Sequence, residues 1–111
     1  MLKDIPIFHK TYELVLWLYP AVNKFPKSQR FVLGQRIEQK ILRFLELVIE
    51  ANYARDKKEY LARAGIELDV LRILIRLTKD LNFLSVRQYE FVSDYLNEIG
   101  KMLGGWIKSA K

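Results

Sequence analysis

The sequence predicts an all-α fold, an up-down-up-down antiparallel four-helix bundle. Three observations lead there. Apolar residues recur at helical spacing through four long runs, short polar breaks separate the runs, and all four runs fit the helical period better than strict alternation.

The first run places Phe8, Tyr12, Val15, Tyr19 and Val22 on one predicted face. It should stop near Asn23 or Lys24, because Pro26 lacks an amide proton and disfavours helix just before it, and the next helix should start at or just after Pro26. The second run offers Phe31, Ile37, Ile41, Phe44, Leu45 and Val48 as its core stripe and ends in the polar gap Asn52-Tyr53-Ala54-Arg55-Asp56. The third offers Leu61, Ala64, Leu68, Leu71, Ile75 and Leu81, widened by Leu74 and Leu77. After Asn82-Phe83-Leu84, Ser85-Val86-Arg87-Gln88 reads as a capping box that opens the fourth helix. That helix carries Val86, Tyr89, Val92, Leu96, Ile99, Leu103 and Trp106 inward, with Gly100, Gly104 and Gly105 weakening its end. Each run spans about 17 to 26 residues, roughly 25 to 40 Å of helix. Short connections between helices of similar length give antiparallel neighbours.

At 111 residues the chain is one domain, 1–111, large enough for a single core. It contains no cysteine, which removes disulfides, thiolate metal sites and cysteine nucleophiles together and fits a reducing compartment. No apolar stretch reaches the ~18 residues of a membrane span, and Met1-Leu-Lys-Asp-Ile-Pro is too polar for a secretory leader, so a cytoplasmic location is expected.

The search for chemistry comes up empty. A di-iron bundle site needs Glu-x-x-His pairs, and the one histidine, His9, has no Glu three residues before it. Every arginine follows His9, so the arginine-then-histidine pattern of helical nucleases is absent. Ser28, Ser85, Ser93 and Ser109 have no histidine base unless the fold brings His9 to one of them. Glu46 with Glu50 and Asp94 with Glu98 are one-turn pairs of the kind common on solvated faces. Gly104-Gly105 follows a helix and does not open one, so it is not a phosphate loop. No enzyme activity, cofactor or metal is expected.

Charge is more informative. Nineteen Lys and Arg stand against thirteen Asp and Glu, a net +6, which attracts polyanions at a distance. Arg36, Lys40 and Arg43 share one side of the second helix, and Arg72, Arg76 and Lys79 repeat the same spacing on the third. Lys27 and Arg30 add charge at the start of the second helix. Two rows on consecutive helices predict a continuous basic strip along a nucleic-acid backbone. The competing reading is that Glu38, Glu46, Glu67, Asp69 and Asp80 consume much of that charge in ion pairs. Leu14, Trp17, Leu18, Leu33, Leu47, Val70 and Leu74 broaden the apolar faces beyond a narrow seam, and Gly100-x-x-x-Gly104 offers close backbone approach. Both fit self-association, while fraying of the helix end explains the glycines as well.

Three segments carry a family resemblance: Phe25-Pro26-Lys27-Ser28-Gln29-Arg30-Phe31 leading into Leu33-Gly34-Gln35-Arg36-Ile37, then Leu71-Arg72-Ile73-Leu74-Ile75-Arg76-Leu77, then Ile99-Gly100-Lys101-Met102-Leu103-Gly104-Gly105-Trp106-Ile107-Lys108-Ser109. Together they resemble the accessory variability determinant proteins of diversity-generating retroelements. These lie within a group of four-helix proteins that includes those encoded in intervening sequences of bacterial 23S ribosomal RNA genes. The resemblance spans about Ile7 to Ser109. It implies a homopentameric ring or barrel with a positive surface that binds the retroelement's reverse transcriptase and supports error-prone copying of template RNA into complementary DNA. By the same resemblance Lys27, Arg30, Arg36, Arg72 and Arg76 match basic positions that engage nucleic acid or polymerase, and the rows add Lys40, Arg43 and Lys79. Phe25, Pro26, Gly104, Gly105 and Trp106 are expected to shape the bundle ends and subunit contacts. The alternative is a homo-oligomeric interaction module of the intervening-sequence type.

Overall fold

The computed structural model describes residues 5–110, so the reading of Met1–Asp4 as part of no leader lies outside the described residues. Helix α1 runs Pro6–Asn23; a single turn α2, Lys27–Gln29, leads through a π-helical segment, Arg30–Gly34, into α3, Gln35–Tyr53; α4 is Lys58–Asp80 and α5 is Val86–Ser109. All the secondary structure among the described residues is helical. Helix α1 packs against α3 and α5, and α4 packs against the same two, so α1 and α4 occupy opposite corners of the bundle.

Side-chain pairs show that neighbours run antiparallel. Across α1 and α5, Lys10 meets Glu98 at 2.7 Å while the Trp17 and Phe91 rings lie 5.1 Å apart, so rising numbers on one helix meet falling numbers on the other. Across α4 and α5, Arg72 meets Asn97 and Lys79 meets Tyr89 in the same sense.

Each helix end has an identifiable cause. Pro6 sits in the first turn of α1, where a missing amide proton costs nothing. Lys57 Nζ donates to the Ala51, Asn52 and Ala54 carbonyls at 2.9, 3.2 and 2.9 Å, so a cation closes the C-terminus of α3. Asn82 ends α4 with φ of 67°, a left-handed conformation that Asn tolerates better than most residues. The Ser85 capping box is formed: Gln88 N donates to Ser85 Oγ at 3.0 Å, and Ser85 N donates to Gln88 Oε1 at 2.9 Å. Ser85→Ala should therefore lower stability by about 1 kcal/mol. An unchanged urea midpoint would show that the box does not hold the start of α5.

The core is continuous and apolar, centred on Phe44, Ile37, Ile41, Leu71, Ile75 and Ile99, all at most 1% exposed. Buried Thr11 and Thr78 are satisfied, each hydroxyl donating at 2.7 Å to a carbonyl one turn back, Ile7 O and Leu74 O. Five features depart from the expected pattern. In α1 the buried stripe is Ile7, Thr11, Leu14, Leu18 and Val22, which leaves Tyr12 exposed. Two apolar rows fit α1 by spacing, and the aliphatic one packs better than the Tyr-bearing one. In the second helix Phe31 is 72% exposed and Leu33 is buried, because the wider π winding changes the register before α3 begins. Leu81 and Val86 flank the α4–α5 turn and are exposed, not core. The supposed surplus residues Leu14, Leu18, Leu33 and Leu47 are core, and the exposed large apolar side chains include Leu16, Ile66, Ile73 and Leu77 instead. Finally, α5 runs unbroken through Gly100, Gly104 and Gly105, so the glycine pair lies inside the helix and does not follow it.

Candidate nucleic-acid interface

The two basic rows form as rows but do not merge. On α3, Lys40 Nζ reaches across to α4 and sits 3.1 Å from both carboxylate oxygens of Glu67. Arg43 Nη1 lies 2.8 Å from Glu50 and 3.4 Å from Glu46, and its guanidinium is held above its ordinary value chiefly by the bond to Glu50. Glu46 and Glu50 are thus ion-pair partners of an arginine. Arg36, in the first turn of α3, is exposed and makes no ion pair among the described residues.

The α4 row faces the other way. Arg72 Nη1 donates to Asn97 Oδ1 at 2.8 Å and Nη2 to Leu96 O at 3.0 Å, both on α5. Gly100 makes room for this: a Cβ there would stand 2.5 Å from Arg72 Nη2. Lys79 Nζ is 2.9 Å from Asp80 and 5.0 Å above the Tyr89 ring, while Arg76 Nε is 3.9 Å from Asp80. The Lys79 hydrogen bond is the main reason the Asp80 carboxyl is held below its usual range. Glu67, which binds the α3 row, and Arg72, which faces α5, are five positions apart on α4, so about 140° separates them around the helix. The expected continuous strip across α3 and α4 is therefore corrected to two separate seams, and Lys40 and Arg43 are already compensated.

Other cations gather where the α1–α2 and α4–α5 connections meet, joined by Phe25 and Phe83 with ring centroids 6.1 Å apart. Lys24, Lys27, Arg36 and Arg87 at this end are exposed. Arg30 Nε donates to Phe25 O at 3.3 Å, fixing the turn after Pro26. Phe25 is buried and Pro26 N-caps α2, so both shape this end of the bundle. Trp106, half-buried at the opposite end, lines a cavity of about 440 Å³ with Ile5, Ile7, Met102 and Gly105. Row spacing missed Arg87 and Lys101, because neither has a cation one turn away on its own helix.

Lys10 binds Glu98 at 2.7 Å and lies 4.4 Å over the Tyr95 ring, and Tyr95 Oη meets Glu13 at 3.2 Å, tying α1 to α5. Loss of water pushes the Glu38 carboxyl up. His9 is exposed on α1 with its ring edge-on to Phe8, centroids 5.9 Å apart. Among the described residues no three His, Cys, Asp or Glu side chains gather to hold a metal, and no helix is long and apolar enough to cross a membrane.

A family model described as bAvd-like matches residues 6–110. A comparison with curated proteins finds none that matches. Among solved structures, a protein of unknown function from the S23 ribosomal protein family of Bacteroides thetaiotaomicron superposes with a TM-score of 0.85 at 21% identity, covering 97% of this chain and 99% of that one. That likeness shows a shared fold.

Proposed function

This chain belongs to the bAvd-like family, and from that premise we propose that it is a non-enzymatic accessory protein of a diversity-generating retroelement. It binds the reverse transcriptase together with template RNA or complementary DNA, and it supports mutagenic copying. The observation that carries the nucleic-acid part is the surplus of cations that no carboxylate answers. Ion pairs occupy Lys40, Arg43, Arg76 and Lys79, yet Lys24, Lys27, Arg36, Arg72, Arg87 and Lys101 have no carboxylate partner among the described residues. Phosphate binding to such groups releases counterions, so affinity should fall steeply with salt, with a log–log slope of about −3 for roughly four phosphates of a single strand. Titration of a short RNA at several salt concentrations measures it. Absence of binding at low salt would remove nucleic acid from the reading, and failure to co-purify with a co-expressed retroelement reverse transcriptase would remove the enzyme partner.

Self-association, proposed as a five-membered ring, completes the reading. Tyr12 and Leu16 on α1, and Ile66, Ile73 and Leu77 on α4, expose apolar surface at opposite corners of the bundle. Two unlike faces on each copy favour head-to-tail contacts, which close into a ring when the rotation permits. Pro26, Gly104, Gly105 and Trp106 would border the contacts at the bundle ends, with buried Phe25 holding its end in shape from within. A solution mass equal to one chain would end this part. The second reading, an interaction module like the intervening-sequence proteins, draws on the S23-family fold match. It predicts the assembly without salt-sensitive RNA binding, so the same titration separates the two.

A further inference from the structure

We infer that a single strand of nucleic acid lies along the groove between α4 and α5, with its phosphates on Arg72, Arg76 and Lys101. This rests on the nucleic-acid reading above and gives it a place. Two cavities, of about 520 and 320 Å³, follow this seam end to end and share Arg72 and Asn97 where they meet. One is lined by Gly65, Asp69, Gly100, Lys101, Gly104 and Ile107, the other by Arg76, Tyr89 and Ser93. From Gly65 to Arg76 the groove follows ~17 Å of α4, room for a short stretch of strand. A duplex is too wide to enter between two packed helices.

The groove has the two parts that sequence-tolerant strand binding needs, a basic track and a surface for bases. Arg72 is central. Its guanidinium is held by two neutral acceptors and no carboxylate, so its charge is fixed in position and unspent, and its other N–H groups remain available. Arg76 stands one turn along α4, 68% exposed, and its pair with Asp80 is at 3.9 Å, too long for a hydrogen bond and screened by water, so a phosphate can replace that acid. Lys101 is exposed across the groove on α5. Tyr89, one face of whose ring Lys79 covers, and the apolar side chain of Ile107 supply surface for bases. Asp69 is the one carboxylate among the lining residues of the two cavities, and it should oppose the strand.

The test measures fluorescence anisotropy of the full chain with a short single-stranded RNA, the same sequence as DNA, and a duplex. Arg76→Glu with Lys101→Glu should weaken single-strand binding about tenfold or more and reduce the salt slope by about 1.4. The control pair Arg55→Glu and Lys58→Glu, exposed in the α3–α4 connection and at the first position of α4, changes net charge equally and should have a much smaller effect. Asp69→Asn should tighten binding. Gly100→Ala leaves net charge untouched but drives the Arg72 guanidinium from its seat, and it should weaken binding several-fold while the helix content holds. Equal losses from the groove pair and the control pair would overturn the assignment, as would preference for the duplex. So would loss of polymerase co-purification with RNA affinity intact, which would give the groove to the protein partner. In each of those cases the wild-type chain still binds RNA; a wild-type chain that binds none instead defeats the functional reading itself.

Discussion

Phe44→Ala is expected to lower the unfolding free energy by about 3–5 kcal/mol. Phe44 is the largest of the fully buried side chains, 0% exposed on α3, the helix that packs against both α1 and α4. Truncation removes the transfer free energy of the ring and leaves a cavity that four helices tied by short turns cannot easily close. A domain of this size has about 5–15 kcal/mol in total, so the variant should sit near its limit. With a urea m-value of about 1–3 kcal/mol/M, its midpoint should fall by more than 1 M. Phe31→Ala is the matched comparison. The same residue type, 72% exposed on the π segment, should change stability by less than about 0.5 kcal/mol. If Phe31 proved the costlier truncation, the register assigned to the entry of the second helix would be wrong.

That comparison also shows what the sequence reveals and what it conceals. Helix number, order and breaks were legible, because Pro26, Asn82 and the Ser85–Gln88 box act locally and need no knowledge of the partners. Register was legible where one apolar row dominates, as in α4 from Leu61 to Ile75. It failed in α1, where nearly every position is apolar and packing chose between two rows, and at Phe31, where the π segment shifts the count. The basic rows were legible as spacing on single helices. Their compensation was legible in part: Arg43 with Glu46, and Asp80 with Arg76 and Lys79, are local pairs among the acids expected to consume charge, whereas Lys40–Glu67 and Arg72–Asn97 join residues more than twenty positions apart and fix which seam each row meets. Spacing tells which side chains share a helix side, and only the packing tells which seam that side meets.

Gly34→Leu should be still more damaging, with a loss of folded protein at room temperature as the expected result. Gly34 is buried at the end of the π segment, where the entry to α3 presses against the last turns of α1. A Cβ at this position would stand 2.6 Å from Val22 Cγ1 and 3.4 Å from the Phe25 ring, and Val22 is itself core. Even Ala must displace Val22. Overpacking costs about 1–3 kcal/mol, against which a helical Ala recovers at most about 1 kcal/mol of the glycine penalty, so Gly34→Ala should be net destabilising. Leu adds three more carbons to the same closed space, and separating α1 from α3 would expose much of the core. Val22→Ala removes the clashing methyl, so combining it with Gly34→Ala should cost less than the sum of the single changes, by about 1 kcal/mol. Gly104→Ala is the counterexample within the same chain. Its Cβ would meet nothing within 4 Å, so it should stabilise α5 by roughly 0.5–1 kcal/mol. Additive single and double variants at positions 22 and 34 would mean that the two helices do not touch there, and the close approach of α1 to the start of α3 would have to be abandoned.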